Sequence, residues 1–151
     1  MDIRRDDLTG ERIITLLRGH VAYMRTITPP GSSHALDLDG LRQADIRFWT
    51  MWDQDVLLGC GALKHLDEKS AEIKSMHTTQ VRRGQGLGQI MLEHLLACAR
   101  KSGYEQVLLE TGSFDAFVPA RSLYEKNGFE YCEPFADYVE DPNSVFMRLA
   151  L

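Results

Sequence analysis

The chain has 151 residues and a formal net charge of −5, with 44% hydrophobic and 26% charged residues. This balance excludes a disordered chain, and the length suits one domain, 1–151, with a sizeable core. The acidic excess argues against nucleic acid or an anionic membrane as partner, and no apolar run approaches a membrane span.

In chain order, Met1–Arg5 reads as a short strand. Asp7 or Thr9 can cap a helix whose apolar stripe is Ile13, Leu17, Val21 and Met24, ending before Pro29-Pro30. The opening residues carry no apolar stretch of a secretory signal. A short helical piece is expected around Leu38–Gln43. Ile46–Trp52 and Val56–Leu66 are rich in β-formers and flank the turn Asp53-Gln54-Asp55, which predicts a hairpin. Trp49 and Trp52 read as core residues on alternate faces. After a turn at Asp67–Ser70, Ala71–Thr79 forms the next strand.

A helix follows with Leu87, Met91, Leu95 and Ala99 on one face, stopped by Gly103. Gln106–Thr111 is nearly all apolar, as in a strand covered on both faces. A last helix starts near Pro119 and stops at Asn127-Gly128, before strands at Phe129–Cys132 and Ser144–Leu149. The expected fold is α/β with a mixed, mostly antiparallel sheet and one β-loop-α-β unit. Cys60, Cys98 and Cys132 are odd in number and lack metal-type spacing, so reduced thiols, no metal and a cytoplasmic location are expected. A homodimer is left open.

The loop of the β-loop-α-β unit, Arg83-Gly84-Gln85-Gly86-Leu87-Gly88, is the stretch that carries chemistry. A helix start has unpaired N–H groups and the positive end of the macrodipole, and glycines let phosphate oxygens approach them. A P-loop would need a lysine at its end, which is missing. A dinucleotide fingerprint would need glycine at position 89, which is Gln, and a unit that leads the chain. A pyrophosphate cradle of another kind remains, against a plain glycine turn without ligand.

That loop resembles the Gln/Arg-x-x-Gly-x-Gly/Ala signature of the GNAT superfamily of acyl-CoA-dependent N-acetyltransferases. Pro119–Phe129, "PARSLYEKNGF", is similar to the second motif of the same family. The resemblance is specific over Ala71–Phe129. It implies an acyl-CoA N-acyltransferase-like fold and transfer of an acetyl group from acetyl-CoA to a small-molecule or peptide amine. The amine would attack directly in a ternary complex. A non-catalytic acyl-CoA-binding module is the alternative. The resemblance further implies pyrophosphate binding by Arg83, Gly84, Gln85, Gly86, Leu87 and Gly88. It implies pairing of the pantetheine arm with Met76, His77 and Thr78, and Tyr124 as the acid for the departing thiolate. Glu72 corresponds to the position of the general base, with Glu110 as the second choice, and a solvated carboxylate paired with Lys74 is the bland reading of Glu72. Phe117 stands where many members have an asparagine on the pantetheine. Strand alternation predicts Glu72, Lys74 and Met76 on one face, and Ile73, Ser75 and His77 on the other. His34, Asp37, Asp39, Asp137, Glu140 and Asp141 form either an acidic mouth for a cationic amine or solvated loop charges.

Overall fold

The computed structural model describes residues 1–32, 34, 36–79 and 85–151. The elements are β1 (Asp2–Arg5), α1 (Glu11–Ile27), α2 (Leu38–Leu41), β2 (Ile46–Asp53), β3 (Val56–His65), β4 (Ser70–Thr78), α3 (Leu87–Lys101), β5 (Gln106–Gly112), α4 (Val118–Lys126), β6 (Glu130–Cys132) and β7 (Ser144–Ala150), with a 3₁₀ turn at Asp115–Phe117. Among the described residues the strands form one sheet in the order β1-β2-β3-β4-β5-β7-β6. Every neighbouring pair is antiparallel except β4 with β5. No described helix is long and apolar enough to cross a membrane.

Each face of the sheet has its own core. On one face α3 buries Leu87, Met91, Leu92, Leu95, Leu96 and Ala99 against Leu63, Ile73, Val107 and Leu109. The 3.6-residue stripe read from the sequence is therefore the packed stripe, and Gly103 ends the helix at φ +85°. Gly61 lies beneath this helix, where a Cβ would stand 3.0 Å from both Met91 and Leu95. On the other face Ile13 and Leu17 of α1 pack with Phe48, Leu57, Cys60 and Ala62.

Two expectations for α1 change. Its N-cap is Gly10, and the Asp7 carboxylate instead accepts from the Thr9 backbone N–H and hydroxyl. Val21 and Met24 are only half-buried, because the C-terminal half of α1 leaves the core and overhangs a cleft that Met24 lines.

That cleft begins where β4 and β5 part. They pair in parallel only at Ser70↔Gln106, Ala71↔Val107 and Glu72↔Leu108. Beyond these pairs β4 carries a bulge: its pairing with β3 shifts register between Cys60 and Ala62, so that Ser75 and Met76 together oppose Gly61. Ser75 takes a left-handed conformation, φ +52°, and its carbonyl accepts from the Cys60 thiol at 3.1 Å. A bulge adds twist and bends its strand, which draws the end of β4 away from β5.

The bulge also corrects the alternation expected from sequence. Glu72 and Lys74 share a face, but Met76 packs with Ile73 against the α3 core. His77 turns to the α1 side, where its ring lies 4.6 Å from that of His20.

Gly59 fixes the far end of this distortion, because a Cβ there would stand 2.6 Å from the carbonyl oxygen of His77. Gly59→Ala must push two backbones apart. The expected cost is roughly 1–3 kcal/mol, seen in a thermal melt as a fall of several degrees. An unchanged melting temperature would mean that β4 is free to shift there.

Candidate active site

The cleft has a volume of about 1010 Å³ and is lined by both splayed strands, the start of α3, one side of α4 and the overhanging half of α1. At its α3 end the glycines serve different purposes. Gly86 is the N-cap of α3 at φ +75°, with open space where a Cβ would point. Gly88 serves packing, since a Cβ there would meet Leu123 of α4 at 3.1 Å. Gln89 and Asn127 lock the two helices by exchanging side-chain amide hydrogen bonds of 2.8 and 2.7 Å. Gly86, Leu87 and Gly88 line the cleft, as do Met76, His77 and Thr78. Gln85 is exposed beside them and does not line it, while Arg83 and Gly84 lie outside the described residues. Lys126 lines the same cleft and brings a cation that the sequence reading did not single out.

Tyr124 lies on the inner face of α4, 6% exposed, with its ring 5.5 Å from Phe129. Burial, aided by the negative field of Glu110, pushes its phenol well above the usual range, so it keeps its proton. The Phe117 ring packs on Gly112, where a Cβ would stand 2.2 Å from its nearest ring carbon. Arg121 holds this corner by donating to the Gly112 and Phe114 carbonyls at 2.7 and 3.0 Å.

Where the strands part, three polar side chains form a closed unit. Lys74 Nζ lies 3.2 Å from Glu72 Oε2 and donates to the Tyr138 hydroxyl at 2.9 Å, and Tyr138 donates to the same Glu72 oxygen at 2.6 Å. The Glu72 and Lys74 side chains are 3% and 9% exposed. Glu72 is thus paired with Lys74, but buried rather than solvated. Desolvation raises the phenol of Tyr138, with Glu72 adding to the effect, so it stays a donor. The Tyr138 loop, between β6 and β7, is pinned to the loop after α1. Ser32 donates to Asp141 at 2.6 Å, and Asn143 donates to Ser32 at 3.3 Å.

Glu110 faces the cleft from β5. Burial is the main cause that lifts its carboxyl from an ordinary 4.5 to about 7, partly offset by the Ser144 hydroxyl and Lys74. The cysteines sit apart: Cys60 is fully buried, and desolvation raises its thiol to about 12. The loop acids do not form a mouth around the cleft. Asp37 caps α2 through the Gly40 N–H, Asp39 pairs with Arg42, and Asp141 is held by Ser32 and Asn143. Of the six expected residues His34 alone lines the cleft. Its pKa is lowered by burial and by Lys74.

Residues 44–131 match the acetyltransferase (GNAT) domain family. The chain is 52% identical to the "Uncharacterized N-acetyltransferase YsnE" of Bacillus subtilis (strain 168), over the whole of both chains. Its fold is similar to that of the putative acyl-CoA N-acyltransferase from Klebsiella pneumoniae, with 29% identity, a TM-score of 0.80, and 99% and 97% of the two chains covered. A Bacillus subtilis acetyltransferase solved in complex with CoA shares the fold at 18% identity and a TM-score of 0.71, covering 99% and 97%. The chain belongs to the GNAT acetyltransferase family, and it is an acetyl-CoA-dependent acyltransferase.

The raised carboxyl of Glu110 has a consequence for stability. A carboxyl with a higher pKa folded than unfolded binds more protons in the native state, so its contribution falls as pH rises. The window runs from an ordinary 4.5 to about 7. Glu110→Gln should remove that component of the pH dependence and melt at a higher temperature than the parent at pH 8. Parallel melting curves against pH for both proteins would contradict the shift.

Proposed function

We propose that the protein transfers the acetyl group of acetyl-CoA to a primary amine by direct attack within a ternary complex, with Glu110 as general base and Tyr124 as general acid. The observation that carries this reading is the gap between β4 and β5. It opens directly beyond Glu72↔Leu108, and Glu110 and Tyr124 both line it. A raised carboxyl and a phenol that keeps its proton, both facing one cleft, suit an acid–base pair.

Along the gap, β4 turns an edge toward the cleft that β5 does not cover. A pantetheine arm would fit there as an added strand, paired with the backbone at Met76, His77 and Thr78. The pyrophosphate would lie at the start of α3, against the N–H groups around Gly86 and Leu87, with Lys126 as a nearby cation. In the reaction Glu110, ionised above about pH 7, takes a proton from the ammonium of the acceptor. The free amine forms a bond to the thioester carbon, and β4 backbone N–H groups stabilise the developing oxyanion. The carbon–sulfur bond then breaks, and Tyr124 gives its proton to the leaving thiolate. The second amine proton leaves the new amide nitrogen and restores the Tyr124 hydroxyl by way of solvent, while Glu110 releases its own proton to solvent.

Glu72 suits the base role less well than Glu110. Its Oε2 is already occupied by both Lys74 and Tyr138. In this reading Glu72 holds Lys74 in place and does not exchange protons with the acceptor.

The test follows thiol release with acetyl-CoA and a panel of amines. The parent kcat/KM should rise with pH to a plateau above about 7. Glu110→Gln should lower it by about 10²–10⁴ and remove that limb, while Tyr124→Phe should lower kcat over the same span and barely move acetyl-CoA affinity. If Glu110→Gln keeps the parental rate and profile while Glu72→Gln loses them, the roles of the two carboxylates are reversed.

A further inference from the structure

We propose that the acceptor is an α-amino acid, its carboxylate received by Lys74 and its amine directed at Glu110. This rests on the acetyl-transfer reading of the same cleft and narrows it to a substrate class.

The placement follows from strand register. Glu72 and Leu108 are partners in the last parallel pair. Two residues further on, on the same face of each strand, come Lys74 and Glu110. On that face they are the first pair beyond the last parallel partners, and both line the cleft. One brings a fixed positive charge and the other a proton acceptor. An α-amino acid carries the complementary pair, a carboxylate and an amine on one carbon.

Lys74 has the capacity for this contact. An ammonium has three donor hydrogens. Glu72 and Tyr138 take two of them, and no third partner is found among the described residues. The Glu72–Tyr138 pairing fixes the lysine head without using all its donors, so a carboxylate would complete its shell.

The charges disfavour the main alternative, a polyamine or other multiply cationic acceptor. A second ammonium near the amine would meet Lys74. The acids that would have to compensate it, Asp37, Asp39 and Asp141, are engaged elsewhere and do not line the cleft. Ile27, Leu36 and Phe114 line the cleft together with the uncharged polar side chains of Ser32 and Asn143 and with His34. Phe114 is brought beside the acceptor loops because Ser113 N–H donates to the Asn143 carbonyl at 3.1 Å.

The test measures acceptor binding to the enzyme loaded with CoA, by calorimetry at pH 8, so that no turnover is needed. The probes are L-phenylalanine, 2-phenylethylamine, which is the same molecule without its carboxylate, and spermidine. L-phenylalanine should bind at least about tenfold more tightly than either amine, as expected for a hydrogen bond to a charged group. Lys74→Met should bring the ratio of L-phenylalanine to 2-phenylethylamine close to one, and Lys74→Arg should keep most of it. Each ratio is read within one protein, so a general loss of stability cancels. Equal binding of L-phenylalanine and 2-phenylethylamine by the parent overturns the proposal, as does tighter binding of spermidine. Failure of the acetyl-transfer mechanism is read separately: it would abolish the effect of Glu110→Gln on turnover and leave this binding ratio intact.

Discussion

The bulge at Ser75-Met76 is the constraint on which the cleft depends. Without it β4 would continue alongside β5, the parallel pairing would extend past Glu72↔Leu108, and the two strands would close on each other. A non-glycine residue in the left-handed region costs about 1–2 kcal/mol, and Ser75 sits at φ +52°. The surroundings hold it there. Cys60 donates to its carbonyl, Gly61 supplies the single residue opposite, and Gly59 allows the His77 carbonyl to come close. Strain of this kind, held by neighbours, is common beside reactive sites.

The bulge also determines which chemistry reaches the cleft. Upstream of it, alternation sends Glu72 and Lys74 to the face where Tyr138 closes over them. Downstream, Met76 returns to the α3 core and His77 faces α1. A buried lysine–glutamate pair is costly to desolvate unless its remaining groups are satisfied. Tyr138 meets part of that need while fastening its loop to β4. One hydroxyl thereby ties the wall of the cleft to its charged floor.

The sequence made the helices legible because a packed helix repeats its apolar side every 3.6 residues. The stripe from Leu87 to Ala99 is buried along its whole length. The stripe of α1 is buried at Ile13 and Leu17 and only half-buried at Val21 and Met24, because apolar spacing marks a covered face and cannot say whether core or cleft covers it. The bulge left no mark, since Ser75 is neither Gly nor Asn and alternation carries no warning of an inserted residue. Tyr138 was missed because it meets Glu72 across 66 residues of chain, from an irregular loop. The acidic mouth did not form because short carboxylates in loops bond to nearby N–H and hydroxyl groups, as Asp37 and Asp141 do. Glu110 looked secondary in the sequence because its burial follows from packing around β5, and that burial is what lifts its pKa.

The central claim is that the uncovered edge of β4 receives acetyl-CoA as an added strand. Amide hydrogen exchange, resolved by residue with and without acetyl-CoA, tests it most directly. The account predicts new protection at Met76, His77 and Thr78 and at the first turn of α3, with little change in β2. Saturating acetyl-CoA that protects α3 but leaves the β4 amides exchanging as before would contradict it.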